Sequence, residues 1–137
     1  MMSQKARLFG DTATEEKIMA ATDQGTIKAL GRVVAPFDRA IWDRFKSAIV
    51  MMGNYYKFAQ HADLRSFLIQ TGSKILVEAS PHDKIWGIGL SEADKRALRP
   101  SLWQGQNRLG LALMTVRAEL QRVWANEERI DQQYLDK

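Results

Sequence analysis

Asp83 and Trp86 stand three residues apart in LVEASPHDKIWGIGL, which gathers a carboxylate, a flat indole and two glycines into one short stretch. A carboxylate so placed can act as a general base or hold a sugar hydroxyl. The indole offers a stacking face, and Gly87 and Gly89 let backbone approach a ligand closely. Each residue also has a plainer reading. Asp83, two residues after Pro81, fits a turn residue that bonds its own backbone, and Trp86 fits a ring wedged into the core beneath a glycine turn. Ser80, His82 and Asp83 suggest a nucleophilic triad, but triad members converge from separate segments, and near-contiguous neighbours on extended chain point to opposite sides.

The other chemistry-bearing types are sparse. With no cysteine, disulfides, thiolate metal clusters and a cysteine nucleophile are excluded, and His61 and His82 are the only histidines. The expectation is therefore chemistry without metal or cofactor. Trp42 falls on an apolar helical stripe and reads as core by spacing. Lys5 reads as a solvated charge, and Asn107, ahead of a Leu-Gly-Leu run, reads as a helix cap.

The elements that must hold these residues are mostly helical. A helical start runs to Phe9, Gly10-Asp11 breaks it, and Thr12 to Ala21 follows with Glu15 and Glu16 at the N-terminal end. A short helix or turn covers Thr26 to Val33. Asp38 caps a helix carrying Ile41, Trp42, Phe45, Ala48, Ile49 and Met52 at helical spacing; Gly53-Asn54 then leaves room for one kinked helix or two. Asp63 to Gln70 is a helix ended by Thr71-Gly72, and Lys74 to Ala79 (KILVEA) is the one clear strand. Residues 80 to 104 form a long irregular loop. The last helix carries Leu109, Leu113, Val116, Leu120 and Val123 and ends near Asn126, with residues 127–137 as a tail.

At 137 residues the chain suits one domain, and 45% hydrophobic with 26% charged residues is the balance of a folded protein. The fold class is mainly α (α+β), multi-helical with one or a few short strands. No apolar run spans a bilayer or makes a signal peptide, which together with the missing cysteine points to the cytoplasm. The net charge of +4, spread along the chain, tolerates anionic phosphate esters without forming a dedicated nucleic-acid arm.

Taken together, QKARLFGD, the pair at Ala29 to Arg32, the tryptophan of AIWD, Lys57 to Gln60, LVEASPHDKIWGIG and the G-N-LG-ALM-VR pattern from Gly105 to Arg117 resemble the YbiA-like, or NADAR, family of N-glycosidases. The resemblance implies a single domain over 1–137, short at its N-terminus, because the family's Glu-His-Tyr pattern belongs upstream of the lysine motif. It implies a metal-free hydrolase that cleaves the bond between a nitrogen and the anomeric carbon of a phosphorylated riboside, such as the phosphoribosylamino-pyrimidines of riboflavin biosynthesis. Asp83, Trp86 and Trp42 match the family's active-site acid and aromatics, and Lys5 matches a lysine whose amine attacks the anomeric carbon. Gly87 and Asn107 match pocket-wall positions, and Arg32 and Lys57, in matched motifs, are candidates for the phosphate. Three alternatives stay open: a hydrolase of ADP-ribosyl-guanine in nucleic acid, a non-catalytic ADP-ribose or nucleotide-binding module, and a nucleic-acid-interacting helical protein favoured by the pI of about 9.5. Oligomeric state is left open.

Overall fold

The computed structural model describes residues 1–125, and among them the chain forms six α-helices: α1 Met2–Leu8, α2 Thr12–Ala20, α3 Gln24–Arg32, α4 Arg39–Gln60, α5 Ala62–Gln70 and α6 Arg108–Trp124. Two short 3-10 turns, Lys95–Leu98 and Pro100–Leu102, lie in the connection before α6. None of these helices is long and apolar enough to cross a membrane. The expected tail at 127–137 lies outside the described residues.

Helix starts follow side-chain chemistry. Asp11 accepts from the Thr14 N–H at 3.0 Å, Asp23 from Thr26 at 2.8 Å, and Asp38 from Ile41 at 2.9 Å, each satisfying a donor that the first helical turn leaves without a partner. Gly72, at φ +59°, takes the left-handed conformation just beyond α5 that a side chain would make costly. Gly53-Asn54 does not divide α4, which runs as one element from Arg39 to Gln60.

The described chain falls into two compact units, Met1–Gly53 and the part from Asn54 onward. In the first, Ala6, Ile18 and Val34 are buried with Met2, Phe9, Ile27 and Leu30 packed around them. A Cβ on Gly31 would sit 2.2 Å from Met2 Sδ, so the Met2 side chain of α1 lies directly against the glycine of α3. In the second, Leu68, Val116 and Leu120 pack with Tyr55, Phe58, Ala59, Ile69, Leu76 and Trp124. Burying side chains of this kind stabilises by about 1.5–3 kcal/mol each, which holds α6 against α5.

The expected strand at Lys74–Ala79 is not formed: no segment among the described residues pairs with it. Its backbone is bonded to α6 and its approach instead. The Asn107 amide donates through Nδ2 to Leu76 O at 2.9 Å and accepts through Oδ1 from Glu78 N–H at 3.0 Å, which is what a peptide unit of a neighbouring strand would do. Arg117, 7% exposed, donates to Lys74 O at 2.9 Å and to Thr71 Oγ1 at 2.7 Å. The branched apolar pattern was that of a strand, but the partners that satisfied it were helical side chains.

Candidate functional site

Lys5 lies on α1, half-buried in the first unit. Its Nζ donates to Gly31 O at 2.6 Å, lies 4.3 Å from the Phe37 ring centroid and 5.8 Å from that of Trp42. Phe9 packs edge-on against Phe37 with centroids 5.2 Å apart, which fixes the ring over the amine. Desolvation by burial lowers the pKa of the Lys5 amine below its ordinary value, because a charged ammonium loses hydration there. The expected solvated lysine is therefore an amine in an aromatic setting, brought together with Trp42. Phe37 and Gly31 were not singled out from sequence, since they lie far along the chain from Lys5. Asp11 was likewise missed: its second oxygen, Oδ2, accepts from Ala35 N–H at 3.0 Å and so ties down the segment that carries Phe37. Arg32, at the end of α3, is exposed.

In the second unit, Asp83 adopts the turn geometry foreseen for it. Its Oδ1 accepts from the N–H groups of Ile85 at 2.9 Å and Trp86 at 2.8 Å. The remaining oxygen, Oδ2, has no hydrogen bond among the described residues, so the turn role and a chemical role occupy different atoms of one carboxylate. Trp86 is half-buried at the far end of that turn. Gly87 is fully enclosed: a Cβ would meet both Asp83 O and Glu78 O at 2.8 Å.

The segment after the turn is laced to the approach and first turn of α6. The carbonyls of Lys84, Ile85, Trp86, Gly87 and Ile88 accept from the N–H groups of Gln106, Arg108, Leu109, Asn107 and Gln104, over 2.8–3.2 Å. The first donors of α6 are thus spent on protein carbonyls, so this helix start is not an anion cradle of the usual kind. Asn107 stands at the N-cap position with φ +49° and is 1% exposed, yet its side chain makes no cap bond. The cap expected of it is replaced by its two bonds to the backbone of Leu76 and Glu78. Lys57 is exposed on α4, with Nζ 5.5 Å from the Phe58 ring. The described residues contain no cluster of His, Asp and Glu able to hold a metal ion.

The irregular connection carries its own order. Asp94 caps the first 3-10 turn through Arg96 N–H at 2.9 Å and pairs with the Arg96 guanidinium at 2.6 Å, while Trp103 Nε1 donates to Ala97 O at 2.8 Å. The Arg96 bonds hold the Asp94 carboxyl down to about 2. Its contribution to the turn is accordingly complete above the ordinary carboxylate value and is lost as pH falls through about 2. A carboxyl-carbon NMR titration is expected to show Asp94 ionising near that value, and in Arg96→Ala to return toward 3.8.

The chain belongs to the NADAR-domain family, which matches residues 1–121. It is 49% identical to the N-glycosidase R617 of Acanthamoeba polyphaga mimivirus over 121 residues, covering 88% of this chain and 71% of that protein. It is 39% identical to protein irg-1 of Caenorhabditis elegans, covering 93% of this chain and 59% of that one, and 30% identical to the N-glycosidase YbiA of Escherichia coli K12, covering 85% and 66%. The chain therefore spans roughly three-fifths to seven-tenths of the length of these relatives.

Proposed function

We propose that the protein is an N-glycosidase that hydrolyses the bond between nitrogen and the anomeric carbon of a phosphorylated riboside, the phosphoribosylamino-pyrimidines of riboflavin biosynthesis being the substrate class tested first. The observation that carries this reading is the Lys5 amine, desolvated beneath Phe37 and beside Trp42, together with membership of a family whose relatives include proteins named N-glycosidase. A neutral amine is a nucleophile, and one N–H held by Gly31 O leaves the lone pair free to turn elsewhere.

In this reading Lys5 Nζ forms a bond to the anomeric carbon as the carbon–nitrogen bond to the heterocycle breaks. The departing nitrogen takes up the proton that the lysine nitrogen gives up; the ring carbon–oxygen bond at the anomeric carbon then breaks, the ring oxygen takes up the second lysine proton, and the opened sugar remains attached as an imine. Water then adds to the imine carbon, releasing the ribose phosphate and restoring the amine. In the first unit Trp42 is assigned a stacking face beside Lys5 and Arg32 a phosphate contact; in the second, the family resemblance supports Asp83, through Oδ2, as a base toward water, Trp86 as a stacking face and Lys57 as a phosphate contact. Gly87 and Asn107 are assigned the positioning of the Asp83–Trp86 turn. No metal or cofactor enters the scheme.

The two oxygens of Asp83 make a discriminating pair of variants. Asp83→Asn keeps an oxygen able to accept from Ile85 and Trp86 but removes the base, so turnover is expected to fall on the order of 10²-fold with thermal unfolding almost unchanged. Asp83→Ala is expected to lose both activity and about 1 kcal/mol of stability. Release of ribose phosphate from a phosphoribosylamino-pyrimidine measures the first effect. Full turnover by Asp83→Asn would remove Asp83 from the chemistry, and no release by the unaltered protein, tested also on ADP-ribosyl-guanine in nucleic acid, would remove the hydrolase reading.

A further inference from the structure

Asp11 joins three parts of the first unit. Its N–H donates to Ala6 O in α1 at 2.9 Å, Oδ1 accepts from Thr14 N–H at 3.0 Å and so caps α2, and Oδ2 accepts from Ala35 N–H at 3.0 Å, 24 residues along the chain and beyond α3. Asp23 and Asp38 cap their helices through Oδ1 in the same way, so a bond from the second oxygen to a distant backbone donor is more than a cap needs. The bond from Ala35, first, and those from Thr14 hold the Asp11 carboxyl below its ordinary value. At the far end of the Ala35 bond lies the setting of Lys5. Phe37 stands two residues on, a span of about 7 Å at most. Its ring packs edge-on against Phe9 with centroids 5.2 Å apart, and its own centroid is 4.3 Å from Lys5 Nζ. The circuit from α1 through Asp11, Ala35 and Phe37 back to α1 is closed by bonds and contacts within residues 5–37.

We propose that Asp11 is a positioning residue for the Lys5 amine: by holding Ala35 N–H it seats Phe37 over Nζ and keeps water from the side of the amine that the ring covers. The inference rests on the amine chemistry proposed above and adds to it a residue that acts through the ring and not on the reacting atoms. Burial lowers the Lys5 pKa below 10.5 because the ammonium loses hydration there. Without the Ala35 bond the ring is no longer held, water reaches the amine, and the ammonium becomes more favourable. A direct charge effect has the opposite sign. A carboxylate near an amine stabilises the ammonium, so removing the carboxylate for that reason alone disfavours it. The other charged groups at this junction have their own engagements: Arg7 is bonded to Glu15 across α1 and α2, and Lys17 acts on Asp11 from α2.

Asp11→Ser separates the two carboxylate bonds. Serine caps a helix as well as aspartate does, but its single short oxygen cannot also hold Ala35 N–H. In this variant the Lys5 titration, followed by NMR of the isotopically labelled side chain, is expected to move up toward 10.5. Turnover of a phosphoribosylamino-pyrimidine is expected to fall about tenfold near neutral pH, in kcat more than in KM, and to recover as rising pH restores the neutral amine. Asp23→Ala removes the cap of α3 and no bond to the segment that carries Phe37, so it is expected to lower thermal stability and leave the Lys5 titration in place. In a Phe37→Ala background, Asp11→Ser is expected to add no further change to that titration, because the ring through which it acts is gone. A Lys5 titration unchanged or lowered in Asp11→Ser, effects of Asp11→Ser and Phe37→Ala that simply add, or a loss of turnover that alkaline pH does not recover would each overturn the proposal. The titration is read without substrate, so it decides the role of Asp11 even if the unaltered protein releases no ribose phosphate, the result that removes the hydrolase reading.

Discussion

Replacing Lys5 with methionine is expected to lower the rate of ribose phosphate release on the order of 10³-fold or more, because it removes the amine assigned to form the bond to the anomeric carbon. Methionine keeps the unbranched stem between the rings of Phe37 and Trp42, so the apolar part of the site is preserved. It leaves Gly31 O without the donor it has at 2.6 Å, which costs about 1 kcal/mol and leaves unfolding cooperative. Lys5→Arg separates charge from nucleophilicity: arginine can still donate to Gly31 O and stack on the aromatic rings, yet it stays protonated and forms no imine. Both variants are expected to be inactive, and only the unaltered protein is expected to be trapped covalently by borohydride in the presence of substrate, with the mass gain on Lys5. Retained turnover in Lys5→Arg would show that the site uses the charge and not the lone pair. The pH–rate profile carries the same information. Burial lowers the Lys5 pKa, so the rising limb that reports loss of its proton lies below the ordinary lysine value of 10.5.

What could be read from the residues, and what could not, follows from how far each interaction reaches along the chain. Helix starts depend on a side chain and an N–H three residues later, so Asp38 with Ile41 was recognisable in advance, and Gly72 as the end of α5 likewise. The Asp83 turn is equally local, and the reading of Asp83 as a residue bonding its own backbone describes Oδ1 correctly. Lys74–Ala79 was misjudged for the opposite reason. Whether a branched apolar segment becomes a paired strand depends on which group fills its edge, and Asn107 and Arg117 lie about thirty and forty residues further on. The setting of Lys5 is invisible for the same cause. Its acceptor is Gly31 and its ring is Phe37, and nothing near Lys5 distinguishes it from any surface lysine. The match of ordered motifs to a known family drew attention to that lysine where local pattern could not.

Asn107→Ala is expected to be the most destabilising single change in the second unit, by about 3 kcal/mol, or roughly a hundredfold in the folding constant and on the order of 10 °C in Tm. Three costs combine. Leu76 O loses its donor and Glu78 N–H its acceptor, both half-buried, and alanine must adopt the φ of +49° that asparagine tolerates far better. Asn107→Asp isolates the hydrogen bonds from shape. Its carboxylate can still accept from Glu78 N–H, but its second oxygen faces Leu76 O, carbonyl against anion, in a site 1% exposed. Burial and that carbonyl both disfavour the charged form, so the folded pKa of the new acid rises above its unfolded value of about 4. The Asn107→Asp variant is then close to the unaltered protein at acid pH, where the protonated oxygen donates to Leu76 O, and loses stability as pH rises above about 4. The Asn107→Ala variant shows no such dependence relative to the unaltered protein. Thermal unfolding of the three proteins from acid to neutral pH measures the difference, and parallel curves for the two variants would show that Asn107 acts by filling space. The turn that carries Asp83 and Trp86 rests on the same residue through Ile88 N–H to Glu78 O, so activity and stability of Asn107→Asp are expected to fall together as the pH is raised.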